Sequence, residues 1–428
     1  MPMTTSTAQP AGAALFSRIV QMPHDPILIS MEQFAADPRR FKVNLGVGMY
    51  YDESGRIPLL QAVRAAEEML AARPVPWGYL PVEGLPDFRR AAAELLFGTS
   101  SPALQEGRIA TVQSLGGTGA LRVGADLLFQ LRPDAQSKPV VALSDPTWAN
   151  HPAIFEAAGF EIVTYPYVDP ATSDLDFNGM LAAIAQLAPG TVVLLHACCH
   201  NPSGVDLNDA EWRRLTAVLI ERRLVPFLDI AYQGFGSGIE ADSYPVRLMA
   251  ESGLPLFVAL SFSKSFALYG ERIGALCVVT GRPDDAIRLT EQTKSIGRGS
   301  YSTPPTHGAA VVATVLNRPD LRALWISELD AMRTRIGVMR HKLVDLLAGH
   351  NGRDFSHLVK QRGLFSFSGL SPAQVEKLKL DHAIYAVENG RLCMAALNDG
   401  NVERVAEAIR QVVDVGQPLL DAHHEARE

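Results

Sequence analysis

Cysteine is scarce in this chain, with four in 428 residues, too few for a disulfide framework. No apolar run approaches the ~18 residues that a membrane helix requires. Positive charge is not in excess either: 39 Lys and Arg stand against 46 Asp and Glu, a formal net charge of −7, which argues against a nucleic-acid footprint. The opening residues Met1 to Thr7 lack the basic start of a secretory signal, and residues before about Ser17 read as a flexible tail. These absences point to a cytoplasmic protein with neither a membrane nor a nucleic acid as partner. Repeats and low-complexity tracts are absent, and so is the Gly-Lys-Ser/Thr of a P-loop.

What is present is enough apolar residue, 47% against 20% charged, to bury a large core in a chain long enough for two domains. The runs Val140–Leu143, Thr191–Leu195 and Val225–Leu228 are short and continuously apolar, as strands covered on both faces are. Stretches with helical spacing lie between them, including Asn208 to Arg223. This alternation predicts an α/β fold built on a doubly wound, mostly parallel sheet. Residues 321–347 read as a long amphipathic helix bridging a large domain to a smaller C-terminal one.

One lysine stands out. Lys264 sits among Ser261, Ser263 and Ser265, directly after the apolar run Leu256–Leu260 and eight residues before Arg272. A lone Ser-Lys pair after a strand is usually solvated surface. Upstream, however, an apolar run from Leu224 carries a carboxylate, Asp229, near its end, with a phenol, Tyr232, three residues later. A sheltered lysine loses part of its proton affinity and becomes nucleophilic toward an aldehyde. A carboxylate at the carboxyl end of a sheet strand is placed to face a ligand. Lysine, acid, phenol, hydroxyls and guanidinium together suit pyridoxal phosphate, whose ring nitrogen needs an acid and whose phenolic oxygen needs a donor.

Other signals are weaker alone. Gly116, Gly117, Thr118 and Gly119 form a glycine-rich turn opening a helix from Ala120 to about Leu131, a place for a phosphate on free N–H groups. The same residues would serve as a tight helix entry, and they lack the third glycine of a dinucleotide fingerprint. Trp148 reads equally as a core aromatic, His151 as a satisfied core histidine and Asn201, before Pro202, as a turn residue. His196, Cys198, Cys199 and His200 are all metal-ligand types. Adjacent cysteines on a strand face opposite ways and miss the spacing of structural zinc sites, so the cysteines read as small packed residues and no metal is expected.

The motifs taken in order resemble the class I aminotransferases, within their aspartate and aromatic amino acid subgroup. They are the run His196 to Val205, then Leu228 to Gly236, then Ser261 to Gly274, and the resemblance extends from about Asp25 to about Val413. It implies a fold-type I pyridoxal-phosphate enzyme. Residues 1–57 would be an N-terminal arm and part of the small domain, 58–330 the large cofactor-binding domain, and 331–428 the rest of the small domain. By the same resemblance Lys264 carries the cofactor and moves the proton, and Asp229 holds the ring nitrogen with His151 behind it. Tyr232 and Asn201 meet the phenolic oxygen, and Trp148 stacks on the ring. Gly117, Thr118, Ser261, Ser263 and Arg272 bind the phosphate, joined by Tyr79 from a second subunit. Arg391 and Asn201 take the substrate α-carboxylate, Arg298 a side-chain carboxylate across a homodimer with shared sites, and Gly48 lets backbone approach the substrate.

Within that subgroup, Tyr51 and Ile57 stand where dicarboxylate-restricted members carry lysine and threonine, and Met49 points the same way. A more apolar distal pocket follows, in which an aromatic ring loses less on desolvation. Gly78 and Thr303 depart from an aromatic-type pocket. With Arg298 retained, the expectation is dual specificity: phenylalanine, tyrosine and aspartate as donors and 2-oxoglutarate as acceptor. A strict aspartate aminotransferase is the closest competing reading. A β-lyase or decarboxylase of the same fold type and a non-enzymatic regulator are more distant ones.

Overall fold

Aliphatic and β-branched residues in short unbroken runs can be buried on both faces only if helices cover both sides of the sheet they form. A computed structural model of the chain, which describes residues 16, 17, 19, 26–76, 78–132, 134, 136–170, 172–349 and 353–414, has that arrangement. The strands in chain order are β1 Val43–Asn44, β2 Ile109–Leu115, β3 Val140–Asp145, β4 Glu161–Pro166, β5 Val192–His196, β6 Val225–Ile230, β7 Leu256–Ser261, β8 Ile273–Val279, β9 Phe365–Phe367, β10 Ile384–Tyr385 and β11 Arg391–Cys393. Seven of them make one sheet in the order β2-β8-β7-β6-β5-β3-β4. All neighbours are parallel except those of β8, which runs antiparallel to both β2 and β7. Every residue of β5, β7 and β8 is buried. The α/β expectation therefore stands.

Register brings the chemistry to one edge. His196 pairs with Asp229, Asp229 with Ala259, and Ser261 with Gly274, so the carboxyl ends of β5, β6 and β7 open side by side. That is where parallel sheets of this kind bind ligands.

The expected helices are present with small shifts. Asn208 caps the helix Asp209–Arg222 through a capping box with Glu211. The long helix runs Pro319–Leu347. The helix expected from Ala120 instead begins at Gly116 and ends at Gln130, so the glycines form its first turn. Gly116 has φ +69, and a Cβ there would lie 2.8 Å from Arg272 Nη2. Only glycine allows that entry angle and that approach at once. The N-terminal stretch read as a tail lies, before Phe16, outside the described residues.

Two small pairings tie distant parts of the chain together: β1 runs parallel to β10, and β9 antiparallel to β11. Arg335 of the long helix adds to this, donating to Tyr50 Oη at 2.7 Å, to the Leu397 carbonyl at 2.8 Å and to the Ala395 carbonyl at 3.0 Å. It thereby holds the segment after Gly48 against the segment after Arg391. Among the described residues no helix is long and apolar enough to cross a membrane.

Candidate active site

At the open edge of the sheet lies a cavity of about 220 Å³. Its lining includes Gly48, Gly117, Thr118, Trp148, Asn201, Asp229, Tyr232, Ser261, Ser263, Lys264, Arg272 and Arg391. These are twelve of the fourteen residues singled out from the sequence as site residues. The other two, Tyr79 and Arg298, do not line it. Tyr79 is 93% exposed. Arg298, in the last turn of the helix Pro283–Ser300, bonds Ser302 Oγ at 2.5 Å.

Lys264 lies three residues beyond the end of β7, and its amine is 5.2 Å from the centre of the Tyr232 ring. Burial lowers its pKa to about 8, although Asp229 pulls it upward; Arg272 adds to the lowering. Roughly a tenth of the amine is then free base at pH 7, against less than about a thousandth for an exposed lysine.

Asp229 is buried near the end of β6. Burial alone would raise its carboxyl group, but the hydrogen bond from His151 and the positive charges nearby win, and its pKa falls below the ordinary value. His151 Nε2 lies 3.2 Å from Asp229 Oδ2, while its Nδ1 is 2.7 Å from Thr147 Oγ1. Trp148 packs edge-on to the same imidazole at 5.2 Å. An ionised carboxylate in a closed site is costly unless paired, so Asp229 is an acceptor prepared for a cationic partner.

One end of the cavity is built for an anion. The first turn of the helix Gly116–Gln130 has no side-chain cap, which leaves amides and the positive end of the helix dipole facing inward with Gly117 and Thr118. Arg272, at φ +52, meets Ser263 Oγ at 3.3 Å and the Tyr269 carbonyl at 3.1 Å. At the other end Arg391, buried in β11, donates to Asn201 Oδ1 at 3.1 Å and to the Gly46 carbonyl at 2.6 Å. Its guanidinium lies 4.2 Å from the centre of the Phe365 ring. The set fits a small flat molecule with an anionic group, an aldehyde and a basic ring nitrogen, together with a second molecule that bears a carboxylate.

Sequence reasoning passed over Leu121, Ala231, Tyr269 and Phe365, which also line the cavity. Phe365 explains Gly48: a Cβ at residue 48 would lie 2.5 Å from Phe365 Cζ. The hydroxyl of Tyr269 accepts the Tyr50 amide at 2.8 Å. Neither contact leaves a local signal, since each joins segments hundreds of residues apart. Tyr51 lines a neighbouring cavity with Glu53 and Arg404, and Ile57 is 43% exposed, so neither borders the cavity around Lys264. Cys198 and Cys199 are buried and free, but β5 stops at His196. They lie in the loop beyond it, with sulfurs near one another and near Asp242, so the expectation that they face opposite sides of a strand does not hold.

The family model for aminotransferase class I and II matches residues 40–409. An aspartate aminotransferase of Pseudomonas aeruginosa is 53% identical over 94% of this chain and 100% of its own length. An aromatic-amino-acid aminotransferase of Escherichia coli is 49% identical over 93% and 100%. Among solved structures, the aromatic-amino-acid aminotransferase of Burkholderia pseudomallei, covalently bound to pyridoxal phosphate, superposes with a TM-score of 0.90 at 54% identity, over 93% of this chain and 99% of that one. The site at the sheet edge and the near full-length likeness agree: this chain belongs to the class I and II aminotransferases.

Proposed function

We propose that the chain is a pyridoxal-phosphate-dependent aminotransferase of dual specificity. It takes the amino group of phenylalanine, tyrosine and aspartate, passes it to 2-oxoglutarate, and returns to its starting state in a ping-pong cycle. The observation that carries this reading is one cavity holding a buried lysine of lowered pKa, a buried ionised carboxylate and a buried arginine.

When bound, the cofactor supplies an aldehyde and an electron-withdrawing ring. Lys264 would hold the cofactor through its amine and would serve as the base that takes the proton from the substrate Cα. Asp229, steadied by His151, keeps the ring nitrogen protonated. Tyr232 and Asn201 would donate to the phenolic oxygen, and Trp148 would lie against the ring. Gly117, Thr118, Ser261, Ser263 and Arg272 hold the phosphate. Arg391 grips the substrate α-carboxylate with the planar fork of its guanidinium, beside the bare backbone of Gly48.

Tyr79 and Arg298 belong to a homodimer in this reading. Each would reach the partner's cavity, Tyr79 to the phosphate and Arg298 to a side-chain carboxylate; a tyrosine left 93% exposed in one chain supports that. The division into a large domain from about residue 58 to 330, with the small domain built from both ends, is supported by the β1–β10 pairing. Four free, buried thiols suit a reducing, cytoplasmic setting. A strict aspartate aminotransferase is the competing reading, favoured by the Pseudomonas aeruginosa relative. Steady-state kcat/KM for phenylalanine, tyrosine and aspartate, with keto acid measured against amino donor, separates the two: aspartate turnover alone would overturn dual specificity.

A further inference from the structure

Asp206 lies five residues beyond Asn201, with its carboxylate turned inward. Its Oδ2 accepts the Cys199 amide and its Oδ1 the His200 amide, each at 2.8 Å. These are the two amides immediately before Asn201, and Cys199 is held at φ +52, a region that costs energy for any residue but glycine. The His200 ring continues the clamp. Its Nδ1 lies 2.8 Å from Ser203 Oγ, its Nε2 lies 3.1 Å from Ser144 Oγ, and it stacks on Tyr167 at 3.9 Å. Asn201 then presents Oδ1 to Arg391.

We propose that Asp206 is a positioning residue for substrate binding: by holding the Cys199 and His200 amides it fixes Asn201 against Arg391, and so sets the affinity for the substrate α-carboxylate. The inference rests on the roles given above to Asn201 and Arg391. Ionisation of the residue does not itself favour the fold. Burial raises the Asp206 carboxyl group to about 6 in spite of the two amide bonds; Asp242 raises it further and Arg362 lowers it. A carboxyl group whose pKa is raised on folding binds its proton more tightly in the native state, so stability falls as pH rises from about 4 to about 6. At neutral pH the ionised group therefore costs the fold stability. Around it stand Asp242, Arg362, Arg340, Tyr167 and the thiols of Cys198 and Cys199, and among the described residues no bond from the Asp206 side chain to Arg362 or Arg340 offsets that cost. A charge retained against stability beside a site is expected where function requires it.

The test is a double-mutant cycle on the holoenzyme, with 3-phenylpropionate as a non-reacting carboxylate probe followed by absorbance, and with amide exchange of the 197–204 loop as a second readout. Asp206→Asn should weaken probe binding about tenfold and raise KM with little change in kcat. In the Asn201→Ala background the same substitution should change affinity less than about twofold. Amide exchange at residues 199 and 200 should speed up in Asp206→Asn, with and without cofactor. Asp206→Glu, which moves the charge by one methylene, serves the same comparison if Asp206→Asn does not fold. Undiminished affinity in both Asp206 variants, or an equal loss on top of Asn201→Ala, would overturn the proposal while leaving Asn201 its role. If Asn201→Ala alone binds the probe like the parent, the role of Asn201 falls, and the Asp206 proposal with it.

Discussion

Arg391 Nη1 donates to Asn201 Oδ1 at 3.1 Å, joining residues 190 positions apart in the chain. A guanidinium can only donate, so the asparagine must turn its oxygen toward Arg391 and its amide hydrogens away from it. One contact thus orients two groups proposed to bind the substrate. Arg391→Leu should therefore reduce kcat/KM for aspartate and phenylalanine by similar factors, since both present the same α-carboxylate and both lose the orientation of Asn201. Parallel steady-state measurements check this, and a loss confined to one donor class would count against it.

Lys264 offers a pH prediction. Its pKa falls on folding to about 8, so the free amine appears as pH rises through about 8, well below the ~10.4 of an exposed lysine. Labelling of the apoprotein by an aldehyde and borohydride should follow that midpoint and map to Lys264. Asp229 pulls the lysine pKa upward, so Asp229→Asn should move the midpoint lower still. Lys264→Ala should retain cofactor through the phosphate residues and lose transamination by several orders of magnitude.

The pairing of His151 with Asp229 at 3.2 Å bears on cofactor affinity. Asp229→Ala should weaken cofactor binding and slow the first deprotonation at Cα, because a ring without its acid partner is a poorer electron sink. His151→Ala should do the same to a smaller degree, by removing one of the influences that hold the carboxylate ionised. Single-turnover deprotonation at saturating cofactor is the measurement, and an unchanged rate in Asp229→Ala would remove the assigned role.

Much of the fold is legible locally. Unbroken apolar runs mark β3, β5, β6 and β7, and Asn208 with Glu211 marks a helix start, because strand burial and capping act over a few residues. Lys264, Asp229 and Tyr232 are legible for the same reason, Asp229 near the end of a strand and the other two within a few residues of one. Phe365 and Tyr269 are not, since only tertiary packing brings them beside Gly48 and Tyr50. The helix start at Gly116 was misplaced because its glycines look like a turn until the approach of Arg272 is known. Position in the sequence places Tyr51 in the substrate pocket, whereas in the structure it lines a different cavity.

Arg298 provides the sharpest test of the proposed assembly. Within one chain it is exposed and bonded to Ser302, well placed to reach outward and absent from its own chain's cavity. If it reaches the partner's substrate, it pairs with a side-chain carboxylate that aspartate has and phenylalanine lacks. An aromatic ring would leave the guanidinium without that partner, so Arg298 must then turn aside or meet water. Arg298→Leu should lower kcat/KM for aspartate by at least about 30-fold, the lower end of the loss when one member of a desolvated pair is removed. Turnover of phenylalanine should stay within a small factor of the parent or rise. Mixing inactive Lys264→Ala with Arg298→Leu then isolates the crossing. Heterodimers of the two hold one site with an intact lysine and an intact Arg298 supplied by the other chain, so aspartate activity should reappear on mixing. No recovery in heterodimers confirmed by mass spectrometry would mean that Arg298 acts within its own chain, and an equal loss for both donors would assign it to subunit packing.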